Sequence, residues 1–148
     1  MSTGLLHLHN LLRWVIIILL LVTIFQSFSK KQGLVKSSLY LLIAAHITLI
    51  IGLYQWYFSV NVGLKGFIER MGSIGAIMKD GFARFWVVEH FLGMVIAILL
   101  ITIARGKAKK LNFGAASWLY IIAFIIIMVS IPWPFRPGIG RPIFPGVH

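Results

Sequence analysis

The sequence predicts an all-α integral membrane protein, a four-helix bundle, on three observations. Of its 148 residues 59% are hydrophobic and the mean hydropathy is +0.95, which leaves too little polar surface to cover a soluble domain. Four apolar runs are each long enough to cross a hydrocarbon core of about 30 Å, a distance that takes roughly 20 residues of helix. The charged residues, 11% of the chain, collect mostly between those runs. The length admits one transmembrane domain, residues 1–148.

The first run spans about 5–28 and opens with polar residues. MSTGLLHLHNLLRW has no basic leading region and no small-residue cleavage site, so this span is expected to be retained. The second run covers 37–60 and the third 82–104. The fourth covers 113–131 and stops where Pro132 and Pro134 forbid further helix. Inside lipid the backbone must satisfy its own hydrogen bonds, so all four are expected to be helical despite many β-branched residues.

The linkers orient the bundle. Ser29 to Lys36 carries Lys30, Lys31 and Lys36 with no acid, and Arg105 to Lys110 carries four basic residues with no acid. Both belong on the cytoplasmic side, which puts the N-terminus and the C-terminus outside. Between the second and third spans, Leu64, Phe67, Ile68, Met71, Ile74 and Ile77 recur at helical spacing, which predicts a short interfacial helix. After Ile131 the chain reads PWPFRPGIGRPIFPGVH and holds all five prolines. Residues 132–148 are therefore expected as an extended tail on the outer face, ordered where it lies against a protein surface, with no role for His148.

The net charge of +11 is an orientation and headgroup signal rather than a nucleic-acid footprint, since no basic face is free of membrane. Lipid is the expected partner. The chain has no cysteine, which excludes disulfides, thiolate-bound clusters and covalently attached haem. Phosphate-binding loops, nucleophile elbows and HExxH motifs are missing, and three acids in the whole chain leave no carboxylate pair for hydrolysis.

Ionisable residues inside a membrane are costly and each needs a reason. His7, His9, Asn10 and Arg13 open the first span, His46 sits in the second, and Glu89 and His90 sit in the third. At about 1.5 Å of rise per residue, His46 lies about 13 Å from the inner end of its span and His90 about 12 Å from the outer end of its own. These depths nearly coincide in a core of about 30 Å. Two imidazoles at one level on separate helices are what a b-type haem requires. Gly93 and Ala97 leave space beside His90, with Trp86 and Met94 as apolar walls, and Ala45 and Gly52 clear a strip beside His46; close helix packing explains the same small residues. Arg13 and Glu89 are placed to form an ion pair, either as a structural clasp or with Arg13 on a haem propionate or a quinone oxygen and Glu89 accepting a proton. His7 and His9, two residues apart, cannot share one helical face; either could replace His46 opposite His90, or both could be interfacial. Trp56, Tyr57 and Trp133 read as an aromatic belt.

The segments GLLHLHNLLRW, AHITLIIGLY, MKDGFARFWVVEH and IPWPFRPG resemble a family of small bacterial membrane proteins labelled cytochrome b or cytochrome b-like. The resemblance covers nearly the whole chain. It implies a four-helix protein of the bacterial cytoplasmic membrane, haem-bearing and tied to respiratory electron transfer, with His46 and His90 as candidate ligands and His7, Arg13 and Glu89 at matching positions. It supplies no substrate.

The leading expectation is thus a b-type cytochrome subunit with one haem between His46 and His90, exchanging electrons between a quinol and a partner protein. A non-catalytic subunit of a larger membrane assembly is one alternative. A metal or proton pathway through His7, His46, Glu89 and His90 is the other.

Overall fold

A computed structural model describes residues 3–144. Four helices are long and apolar enough to cross a membrane: α1 (Thr3–Phe28), α2 (Leu34–Phe58), the third span Gly81–Lys109, and α7 (Phe113–Ser130). Three short helices precede or open the third span: α3 (Leu64–Met71), α4 (Ile74–Lys79) and α5 (Gly81–Arg84). A single wide π turn, Phe85–Glu89, then joins α5 to α6 (His90–Lys109). The links 29–33 and 110–112 are short, so α1 with α2 and α6 with α7 are antiparallel neighbours. α2 also packs on α6 and α1 on α7, closing a ring of four.

The bundle follows from small residues inside and large ones outside. Ala45, Ala97, Ala104, Ala108, Ala116 and Ala123 are fully buried, which lets the backbones approach as membrane helices do. Ile18, Leu21, Phe25, Ile50, Leu99, Ile103, Trp118, Ile125 and Val129 stand on the outer surface, an arrangement that suits a lipid solvent rather than water. At Gly93 the contact is closest. A Cβ there would strike the side chain of Ser130 on α7.

Two boundaries differ from the sequence expectation by more than two residues. α2 begins at Leu34 rather than 37, and the third span continues to Lys109 rather than ending at 104. Arg105, Lys107 and Lys109 are therefore not a loop but the last turns of a helix, where lysines near the carbonyl end are favourable. Arg105 donates from Nη1 to the Val35 carbonyl at 2.7 Å and to Ser38 Oγ at 2.9 Å, clasping α6 to the start of α2. Asn112 then caps α7 by accepting from the Ala115 amide at 3.3 Å.

The opposite end is more elaborate. In place of one interfacial helix there are three short ones. Gly72, at φ 84°, ends α3; Ser73 caps α4, and Asp80 caps α5 by accepting from the Ala83 amide at 2.8 Å. Phe67, Ile77, Ala83 and Val87 form a second small core beneath them. Arg70 ties α3 to the end of α2 through the carbonyls of Val60 and Asn61, the latter at 2.8 Å. The proline-rich tail lies against this same end. Arg136 Nη1 donates to the carbonyls of Val129 and Ile131, at 2.9 and 3.2 Å, satisfying the end of α7. Residues 145–148, His148 among them, lie outside the described residues.

Candidate functional site: an intramembrane chamber

At the loop-rich end a cavity of about 300 Å³ opens between the spans and under the tail. Its deep part is apolar, lined by Ile16, Ala45, Leu49, Ile98, Ile101 and Ile127. Its shallow part is polar and basic, with His7, His9, Asn10, Arg13, Gln55, Trp86, His90 and Arg141. No carboxylate lines it.

Each wall has a local cause. On α2 the residues at i, i+3/i+4 and i+7, namely Ala45, Thr48 or Leu49, and Gly52, face inward. His9 of α1 lies beside Gly52: a Cβ there would stand 3.4 Å from His9 Cε1, in van der Waals contact, so a larger side chain would press on the ring. His90 donates from Nδ1 to the Ser130 carbonyl at 2.7 Å. A carbonyl only accepts, so Nδ1 carries the proton and Nε2 keeps its lone pair. The π turn swings Trp86 to within 5.5 Å of the His90 ring, centroid to centroid. It also frees the Val87 carbonyl to accept from Trp56 Nε1 at 2.9 Å. Trp56 in turn stacks on Phe91, with centroids 4.4 Å apart. Single π turns of this kind recur at functional sites.

The tail closes the chamber. Ile143 offers its carbonyl to both Arg13 Nη2, at 2.6 Å, and Trp14 Nε1, at 3.0 Å. Phe144 stacks on Trp14 at 5.8 Å, and the Arg141 guanidinium lies 5.3 Å from the centre of the Trp86 ring. Arg141, Pro142 and Phe144 thereby become chamber walls.

Among the described residues, several buried polar atoms of the lining side chains have no hydrogen-bond partner: His7 Nδ1, His9 Nδ1, Arg13 Nε, Gln55 Nε2 and Trp86 Nε1. An unmet buried donor or acceptor costs about 1–3 kcal/mol, so a concentration of them on the residues of one cavity sets this region apart from the rest of the bundle.

The expected residues divide as follows. His90, His9, His7, Arg13 and Trp86 all line the chamber. His46 does not. It stands on the outer side of α2 with Ile43, Ile47 and Ile50, and its Nδ1 is engaged by the Leu42 carbonyl of its own helix at 2.9 Å. The expected pairing of His46 with His90 is therefore corrected: His46 faces away from the chamber that His90 lines, and it is His9 that lies beside Gly52. Arg13 lies within electrostatic reach of both His9 and His90. The expected Arg13–Glu89 pair is also corrected. Glu89 is about half exposed and pairs with Arg84 at 3.0 Å, one turn away on the same span, while Arg13 holds the tail. Gly93 does not clear room for a ligand either; Ser130 fills its space. His7 and His9 both reach the chamber, His7 at its edge, because the space widens under the tail. Gln55 and Arg141 were not singled out from sequence, since a glutamine near a helix end and an arginine among prolines carry no pattern of their own.

Four apolar helices long enough to span a membrane, with a chamber between them at one end, define the molecule as a multi-pass helical membrane protein. Comparison with protein-family models, with curated proteins and with solved structures gives no match.

Two imidazoles suffice for a haem, because the macrocycle supplies the other four nitrogens, whereas a bare ion needs three or more protein ligands. Among the described residues no three His, Asp or Glu side chains gather to hold a metal ion. The chamber brings together His90, oriented by a carbonyl, and His9, whose Nδ1 is unpartnered, with Trp56, Trp86 and Phe91 among its walls; two imidazoles with aromatic walls are a donor set that a haem can use.

Proposed function

We propose that the protein is a b-type cytochrome subunit of a bacterial cytoplasmic membrane, passing electrons between a quinol and a partner subunit. The observation that carries this reading is the His90–Ser130 hydrogen bond. A histidine that donates its Nδ1 proton to a carbonyl keeps the Nε2 lone pair free, and His90 would hold the iron of a haem through it. His9 would supply the second imidazole from α1, and His90 the first from α6.

Bound there, haem supplies one-electron redox chemistry. The chain's own residues do the rest. Ser130 fixes the His90 tautomer; Gly52 admits the His9 ring; Trp86, Trp56, Phe91 and Met94 keep water from the faces of the site; and Arg13 and Arg141 place positive charge at its outer edge, where it raises the affinity for electrons and for acidic groups. Holding one such group, the chain would relay electrons and depend on another protein to complete a reaction. The short helices α3 and α4 present Ile68, Ile74 and Met78 outward, which suits a position at the membrane interface on the outer side.

The test is spectroscopic. Protein purified in mild detergent from haem-replete cells is expected to show Soret and α bands in a reduced-minus-oxidised spectrum, and His90→Ala is expected to lose them while remaining folded. Folded wild-type protein without those bands would end this reading.

A further inference from the structure

Taking the chamber as a ligand site, which is the part of the preceding reading that this step rests on, its outer end has chemistry of its own. The atoms left without partners there are nitrogens: Arg13 Nε, Gln55 Nε2 and Trp86 Nε1. Each of these three can only donate. Arg141 adds a second guanidinium above Trp86, and no acid is present among the lining residues to neutralise either cation. Below this edge the walls are apolar down to Ile101.

We infer that Arg13, Gln55, Trp86 and Arg141 form a carboxylate-binding subsite, so that the chamber takes an amphiphilic acid with its carboxylate at the tail and its apolar body between the helices. An ionised carboxylate offers about four acceptor positions and no donor, which complements three unmet donors and two cations. A guanidinium pairs with it in a planar fork, which an ammonium cannot do. Arg13 serves two roles at once. Its Nη2 is held by the Ile143 carbonyl, which ties the tail over the site and leaves Nε without a partner. Arg141 is carried by that same tail, so closure and carboxylate capture are one event. The acid can come from a haem's side chains or from a free long-chain fatty acid; the chemistry is shared.

Iron-free protoporphyrin IX separates this claim from iron ligation, because it keeps the carboxylates and lacks the metal. In lipid nanodiscs the wild-type protein is expected to bind the diacid at least about tenfold more tightly than its dimethyl ester, about 1.4 kcal/mol. The preference is expected to vanish in Arg13→Gln/Arg141→Gln and to survive in His90→Ala. Arg141→Gln alone, on the tail and away from helix packing, is expected to reduce it and guards against a double variant that does not fold. Equal binding of acid and ester by the wild type, or a preference that persists without both arginines, would overturn the subsite. A chain that discriminates acid from ester yet never shows a His90-dependent haem spectrum would keep the subsite and lose the cytochrome reading. Should neither porphyrin bind, hexadecanoate is expected to protect the protein from thermal unfolding more than hexadecanol does, in an arginine-dependent way. Equal protection by the two would overturn the subsite as well.

Discussion

Single residues set what the chamber can hold, and two glycines do so in opposite ways. Gly52 makes room for a ring from another helix, so Gly52→Val should press on His9. We expect folded protein with a cost of about 1–3 kcal/mol from overpacking and a weakened or absent haem spectrum. Gly93 instead lets α6 and α7 meet, which is what brings the Ser130 carbonyl to His90. Gly93→Ala is expected to lower thermal stability in detergent by a similar amount, and Ser130→Ala to restore part of it in the double variant, because it removes the oxygen the new methyl would strike. If the two substitutions cost the same separately and together, with no coupling, the contact is not the one described. These residues also show where sequence reasoning stops. Depth in the membrane follows from counting residues at about 1.5 Å each, so His46 and His90 could be placed at one level. Direction does not, since neighbours on a helix differ by about 100°. Ala45 faces in, so His46 turns out.

At the scale of elements, hydropathy located every span, because burying polar backbone in lipid leaves helix as the only solution. The ends were less legible. The basic stretch after 104 read as a loop by charge, yet it is helical to Lys109, its stems still covering apolar surface. The clasp from Arg105 to Val35 and Ser38 fixes that turn. Arg105→Ala leaves a carbonyl and a hydroxyl short of a donor and is expected to cost about 1–3 kcal/mol, read as a lower unfolding temperature with the haem spectrum unchanged. A simultaneous loss of the spectrum would show that the two ends are coupled more tightly than the packing implies. The π turn at Phe85–Glu89 had no signal in the sequence at all. It depends on Trp56 taking the Val87 carbonyl, a contact 31 residues away, and Trp56→Phe should keep the stack on Phe91 but lose that bond. The expected outcome is a shifted haem spectrum at near-normal stability, since Trp86 would move.

For the whole molecule, charge and function sit at opposite ends. Lys30, Lys31, Lys107, Lys109 and Lys110 gather at one end, and all three acids, Glu69, Asp80 and Glu89, belong to the other with the chamber. By the bias of basic loops the chamber is expected near the outer face. The chain has no cysteine, so single cysteines report its orientation cleanly. In intact cells Gly75→Cys is expected to react with a membrane-impermeant thiol reagent and Lys31→Cys to resist it; the reverse pattern would invert the protein. The arrangement of the chamber turns on which imidazole faces His90 across the bundle, and the most direct measurement compares the haem spectra of His9→Ala and His46→Ala side by side. His46→Ala is expected to keep the wild-type bands and His9→Ala to lose low-spin bis-histidine features. Normal bands in His9→Ala, or their loss in His46→Ala, would contradict the chamber as the place where the two histidines meet.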